Sequence, residues 1–223
     1  MTFKINKNLN YSHTNESLRA IIEGLDINLD DVILAIGSSG DQAFALLDGS
    51  KSVRVAELRG NQVDYIRKRE ELLRNGDYGE FLRIDELGYD DGANRGARDF
   101  ELVQFNIDRR NEFFLQSGKL DRIRDNLDRL CIKECTDIFA AVQEGNQTKI
   151  YLSNPDIYCQ DDIEAFKGLV TCLPKGGLIY VARPLSNENI PDGLRLDSCL
   201  TGKAREHEKT KWNLWQPTVY RII

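Results

Sequence analysis

The sequence has few of the residues that build metal centres or disulfide frameworks. Its 223 residues include two histidines, His13 and His207, near opposite ends of the chain. The five cysteines, Cys131, Cys135, Cys159, Cys172 and Cys199, are odd in number, irregularly spaced and without a CxxC pair. Reduced thiols are therefore expected rather than bridges, and no metal site, since both need ligands at fixed spacing. A run of about 18 apolar residues, the length a spanning helix requires, is also missing. The first residues, MTFKINKNLNYSHTNE, lack the apolar stretch of a secretory signal, so a cytoplasmic location is expected. Basic charge is short: 30 Lys and Arg face 36 Asp and Glu, for a net charge of -6. Nucleic-acid binders usually carry a basic face, so nucleic acid is not an expected partner. There is no internal repeat and no low-complexity segment.

What is present fits one α/β domain over residues 1–223, with 41% hydrophobic and 30% charged residues. Leu18, Ile21, Ile22 and Leu25 give residues 15–25 one apolar helical face, with Ser12 or Thr14 as cap. Residues 31–36 are a short apolar run ending at Gly37, the pattern of a buried parallel strand. A turn at 37–40 leads to a helix over 41–47. A second strand at 52–56 ends at Glu57, and a helix follows over about 61–73. Alternation resumes with strands at 130–134, 149–153 and 178–182, helices at 139–143 and around 163–173, and a last strand over 215–222. Such alternation predicts a mostly parallel sheet of about seven strands, covered on both faces. Residues 76–128 interrupt it. Their first half is rich in Gly, Asp and Arg, and their second half is helical by its spacing of Leu120, Ile123, Leu127 and Leu130. Long insertions often act as lids or substrate-binding elements, and this one is expected to form a lid or acceptor pocket.

The chemistry-bearing residues fall where strands end. Gly37, Ser38, Ser39 and Gly40 make a turn that lets a ligand approach the backbone, followed by Asp41 and Gln42. Glu57 lies 20 residues after Gly37, at the end of the next strand, where an acidic side chain can hold both hydroxyls of a ribose. Ser39 stands where a dinucleotide fold places a second glycine to admit a pyrophosphate. The pattern therefore points to a nucleoside without one, of which S-adenosylmethionine is the common case. Leu58 and Gln62, just beyond Glu57, are expected to bind the cofactor with it. Asp137 with Ile138 follows the third strand and is expected to meet adenine, although Asp137 is equally a helix cap. Ser153, Asn154 and Tyr158 follow the fourth strand, the edge where α/β enzymes place reacting groups. Ser153 is read as cofactor-binding, Asn154 as orienting the methionine part or the acceptor, and Tyr158 as lining a sulfonium cation. Tyr11 and His13 either fold over the ligand or sit on the surface. Arg110, with Arg109, either binds a substrate carboxylate or forms a solvated pair. The run 206–209 reads as a solvated charge cluster.

The stretches ILAIGSSGDQAFALL, VAELRGNQVDYIRKREELL, EFFLQSGKLDRIRDNLDRL and IYLSNPDIY, taken in order, resemble the S-adenosylmethionine-dependent 3-amino-3-carboxypropyltransferases that begin betaine-lipid synthesis. The resemblance runs from about Tyr11 to Pro184. It implies a Rossmann-like methyltransferase fold and transfer of the aminocarboxypropyl group, with release of methylthioadenosine. It assigns Gly37, Ser38, Gly40, Asp41 and Gln42 to the family's glycine loop, Glu57 with Asn61 and Gln62 to its next motif, and Ser153 and Asn154 to its post-strand motif. The sequence departs from the family at Glu57, where an aspartate is usual, and at Arg59 and Gly60, where Asn-Pro is usual. The expected acceptor is accordingly a small or lipid-like molecule rather than diacylglycerol in particular. Two alternatives stand beside it: a small-molecule methyltransferase releasing S-adenosylhomocysteine, and a nucleoside-binding protein without turnover.

Overall fold

The computed structural model describes residues 11–84, 97–153, 163–185, 190–209 and 214–223. In chain order these form α1 (Leu18–Leu25), β1 (Val32–Ile36), α2 (Asp41–Leu47), β2 (Ser52–Glu57), α3 (Gly60–Asn75), α4 (Tyr78–Leu82), α5 (Ala97–Phe114), α6 (Lys119–Asp125) and β3 (Leu130–Glu134). Then come α7 (Ile138–Ala141), β4 (Lys149–Tyr151), α8 (Ile163–Thr171), β5 (Leu178–Val181), β6 (Leu194–Leu196), α9 (Ser198–Glu208) and β7 (Thr218–Ile222).

The strands form one seven-stranded sheet in the order β3-β2-β1-β4-β5-β7-β6. The first five strands pair in parallel. Strand β7 runs antiparallel to both β5 and β6. Side chains alternate between the two faces, as the strand period requires. Ile33, Ala35, Val53, Val55, Tyr151 and Tyr180 enter one core with Leu18, Ile21, Phe44, Phe114 and Leu200. Leu34, Ala56, Ile150 and Ile179 enter the other with Ile138, Phe166 and Leu169. Burial on both faces explains why β1 and β5 read as continuous apolar runs.

Register sets up the site. Ile36 pairs with Ala56, and Glu57 pairs with Glu134. The carboxyl ends of β1, β2 and β3 therefore lie side by side, bringing the 37–40 turn, Glu57 and residues 136–138 to one edge.

Several boundaries differ from expectation. Helix α1 starts at Leu18, and its cap is Ser17, whose Oγ accepts from the Ala20 N–H at 3.2 Å, not Ser12 or Thr14. Residues 15 and 16 make tertiary contacts instead of a first helical turn. Strand β4 stops at Tyr151, and the chain turns at Ser153, whose φ of 59° lies in the left-handed region. Within 76–128, Phe81, Phe113, Phe114, Leu120 and Ile123 are core residues. Its loose Gly- and Asp-rich part, 85–96, lies outside the described residues.

Candidate active site

Strand β1 ends in a turn closed by the Gly40 N–H donating to the Gly37 carbonyl at 2.8 Å. The turn needs two left-handed residues, Gly40 at φ 82° and Ser38 at φ 46°. Gly37 is fixed by crowding: a Cβ there would lie 2.8 Å from the Cβ of Glu57 and 2.9 Å from its Oε2. Glycine thus lets the end of β1 lie against the Glu57 side chain.

The Glu57 carboxylate accepts the Ser38 N–H on Oε2 and the Arg59 N–H on Oε1, each at 3.0 Å. A carboxylate has about four acceptor positions. Two are used by the backbone, which fixes its orientation and leaves two for a ligand. Partial burial raises the Glu57 pKa, and the N–H donors of Arg59 and Ser38 oppose the shift. Among the described residues it forms no ion pair with Lys or Arg.

Glu57 borders a cavity of about 270 Å³. Its apolar walls are Ile36, Ala56, Leu58, Ile138 and Phe139. Its polar rim is Tyr11, Ser38, Arg59, Gln62, Thr136 and Asp137. The volume lies just under the roughly 300–1,000 Å³ of sites that enclose a whole small ligand. Leu58 is 55% exposed, a large apolar side chain held open at the mouth. Asp137 caps α7 by accepting the Phe139 N–H at 2.6 Å, so its capping role is present while it lines the cavity.

Behind the same turn lies a buried ion cluster. Asp41 Oδ1 accepts from Arg69 at 2.6 Å and from Arg110 at 2.7 Å. Its Oδ2 accepts the Thr14 N–H at 2.8 Å and the Ser39 hydroxyl at 3.0 Å. Burial alone would raise the Asp41 pKa, but Arg110 and Arg69 outweigh it and hold the carboxyl well below the usual carboxylate range. Arg110 also donates to the carbonyls of Phe81 and Leu82. Burial lowers the Arg110 pKa, and Asp41 opposes that shift.

Residues 11–17 form a strap across this edge. Gln62 donates to the Tyr11 carbonyl at 2.7 Å, and the Tyr65 hydroxyl donates to the Ser12 carbonyl at 2.7 Å. Farther along, Arg109 and the Trp215 indole both donate to the Asn15 carbonyl, and the Ser17 N–H donates to Glu208 at 2.7 Å. His13 sits in the strap, its pKa lowered by burial and by Arg110 and Arg69, with Asp41 opposing.

The expected site residues thus divide. Tyr11, Ser38, Glu57, Leu58, Gln62, Asp137 and Ile138 surround one cavity, with Gly37 packed against Glu57 and Gly40 closing the turn. Ser39, Asp41 and Gln42 are instead buried beneath the turn, with hydrogen bonds inside the protein. Arg110, expected at a substrate, is fully buried and meets the carboxylate of Asp41, because only a cation can offset that charge at such depth. Asn154 and Tyr158 lie outside the described residues. Ser153 lies away from the cavity lining, against Glu16.

Solved structures share this architecture. A conserved hypothetical protein from Streptococcus pyogenes matches with a TM-score of 0.53 and 10% identity, over 92% of this chain and 95% of that one. TrmN from Thermus thermophilus matches at 0.52 and 14% identity, over 97% of this chain and 51% of that one. Precorrin 8w decarboxylase from Methanobacterium thermoautotrophicum matches at 0.50 and 12% identity, over 99% and 97%. The fold is Rossmann-like, of the methyltransferase type. At such identities the likeness is one of fold. No family model matches the chain, and no curated protein matches it by sequence.

The sequence reading missed Glu16. It is 2% exposed and accepts hydroxyl hydrogen bonds on Oε1 from Tyr151 at 2.8 Å and from Ser153. Burial pushes its pKa up to about 7; Ser153 and Tyr151 oppose the shift, Glu208 adds to it, and Arg109 opposes it. Nothing local could have revealed it, since its partners lie 135 and 137 residues away in sequence.

Proposed function

We propose that this chain is an S-adenosylmethionine-dependent transferase. The observation that carries the reading is the Glu57 carboxylate, held by two backbone N–H groups with two acceptor positions left, beside a cavity walled by Leu58, Ile36 and Ile138. A ribose would place its two hydroxyls on Glu57, and adenine would lie between the apolar walls near Asp137. Ser39 in place of a second glycine supports a nucleoside without a pyrophosphate.

The finer reading is transfer of the 3-amino-3-carboxypropyl group, and it rests on the resemblance of the 37–42, 126–130 and 152–154 motifs. A bound sulfonium activates three carbons, and attack at the γ-carbon sends the bond electrons to sulfur. The chain's part is to orient: in-line placement of reacting atoms alone supplies several kcal/mol of rate enhancement. Asn154 and Tyr158 are the residues assigned to that task. The 76–128 segment is assigned to the acceptor, a small or lipid-like molecule, because long insertions in α/β domains often act as lids or substrate-binding elements and its helix α5 carries Arg109 against the strap.

Methyl transfer is the second reading; the sheet order with its antiparallel β7 is compatible with both. Incubation with S-adenosylmethionine and a cell extract, followed by chromatography and mass spectrometry of the nucleoside, separates the two. Methylthioadenosine is expected. Enzyme-dependent S-adenosylhomocysteine would establish methyl transfer instead.

A further inference from the structure

The strap buries more negative charge than it neutralises at one end, and more positive charge at the other. At the β4 end stand Glu16 and Glu208, with Arg109 as the nearby cation. Arg109 is engaged with Glu208 at 2.8 Å and with the carbonyl of Asn15. Glu16 therefore has two hydroxyls on Oε1 and no donor on Oε2, although that oxygen is buried. Gln42 Oε1 is likewise buried without a donor. At the turn end, Asp41 faces two arginines, Arg69 and Arg110. The two ends adjoin: Gln42 Nε2 donates to Thr14 Oγ1 at 3.0 Å and to the Tyr151 hydroxyl at 3.2 Å. The Thr14 N–H in turn meets Asp41.

A buried carboxyl with an orphaned oxygen either takes up a proton, as the raised pKa of Glu16 allows, or stays charged where a cation or a donor completes it. Among the described residues none does. Glu16 lies where β4 ends, beside Ser153, the edge at which the methionine part of the proposed nucleoside would lie. A methionine group is a zwitterion, with an ammonium and a carboxylate on one carbon. Its ammonium group is the kind of donor that Glu16 Oε2 lacks.

We propose that Glu16 is the counter-ion of the α-ammonium group of the bound nucleoside, with Oε2 as acceptor, and so selects ligands that carry the amino-acid end. This rests on the proposed function and adds a positioning residue to it. The groups that face Glu16 are Tyr151 and Ser153 at the end of β4, Tyr180 from β5, Arg109 from α5 and Glu208 from α9. Tyr151 and Tyr180 stay neutral, since burial raises both well above the usual phenol value. Among the described residues, Glu16, Glu208 and Arg109 are then the groups there that can carry charge.

Calorimetric titration with two probes tests the assignment. S-adenosylhomocysteine has the ammonium group, and methylthioadenosine lacks it. Glu16→Gln keeps the shape and removes the charge. It is expected to weaken S-adenosylhomocysteine about tenfold to a hundredfold, the scale of hydrogen bonds to charged groups. Methylthioadenosine should change less than about twofold, the scale of a contact not made. Equal loss for both probes, or no loss for either, overturns the assignment. The wild-type chain supplies a second readout that survives a poorly folding variant. Near pH 7, binding S-adenosylhomocysteine should release protons as Glu16 ionises, measured in buffers of different ionisation heat, while methylthioadenosine releases none. Identical proton release with the two probes contradicts the proposal. Failure of wild type to bind either probe would count against the nucleoside reading itself, a different result from failure at Glu16.

Discussion

The cavity proposed to hold the nucleoside and the buried ion cluster are built from opposite sides of one turn, residues 37–42. On the cavity side, Glu57 is held by backbone N–H groups alone and keeps acceptor positions open. On the other side, Asp41 has both oxygens filled, by Arg69, Arg110, Ser39 and Thr14. Both carboxylates sit within a motif that reads as ligand-binding. The difference lies in their partners. A carboxylate oriented by neutral donors stays available to a ligand, whereas one enclosed by arginines holds the fold together. Asp41 ties α2 to α3, α5 and the strap, and so fixes the turn against which the ligand would rest.

The largest effect should come from breaking the cluster. Asp41→Ala leaves Arg69 and Arg110 buried without their anion, and removing one partner of a buried pair typically costs about 3–5 kcal/mol. Urea unfolding should show a loss of that size. A loss under about 1 kcal/mol, the value of an exposed pair, would break the contrast between the two sides.

A smaller effect concerns pH. Folding raises the Glu16 pKa from its usual 4.5 to about 7, so between those values the folded chain holds a proton that the unfolded chain has shed. Its contribution therefore favours folding least at high pH: stability falls as pH rises from about 4.5 through 7. Glu208, also raised by burial, acts in the same sense. Asp41 acts oppositely, losing stability as pH falls below the usual carboxylate range. From pH 5.5 to 7.5, wild type should lose about 2 kcal/mol more than Glu16→Gln in urea unfolding. Equal pH slopes in the two proteins would show that Glu16 is not the group responsible.

The same contrast explains what the sequence disclosed. Strands β1 and β5 were legible because burial makes them apolar throughout, and β2 from its alternation of buried Val53 and Val55 with Ser52 and Arg54. Helix α2 was legible from its turn and its apolar residues. The spacing from Gly37 to Glu57 located the cavity, because strand register carries it directly. The ends of the chain were harder. Strand β6 has three residues, of which only Leu194 is buried. Helix α9 is weakly amphipathic, and its last turn reads as a solvated charge run although Glu208 is buried against Arg109 and Ser17. The roles of Arg110 and Glu16 were invisible for one reason: their partners are far away in sequence, at Asp41 in one case and Tyr151 and Ser153 in the other. A motif shows which residues reach an edge. It does not show which are already occupied by other side chains.

Calorimetric titration of S-adenosylhomocysteine into wild type and Glu57→Ala tests the central claim most directly, with urea unfolding of both as control. The variant loses the acceptor for both ribose hydroxyls, so its affinity should fall by about 1.5–3 kcal/mol, the scale of hydrogen bonds to a charged group, with little change in stability. Unchanged affinity, or a loss explained by unfolding, would contradict the account and remove Glu57 from the nucleoside site.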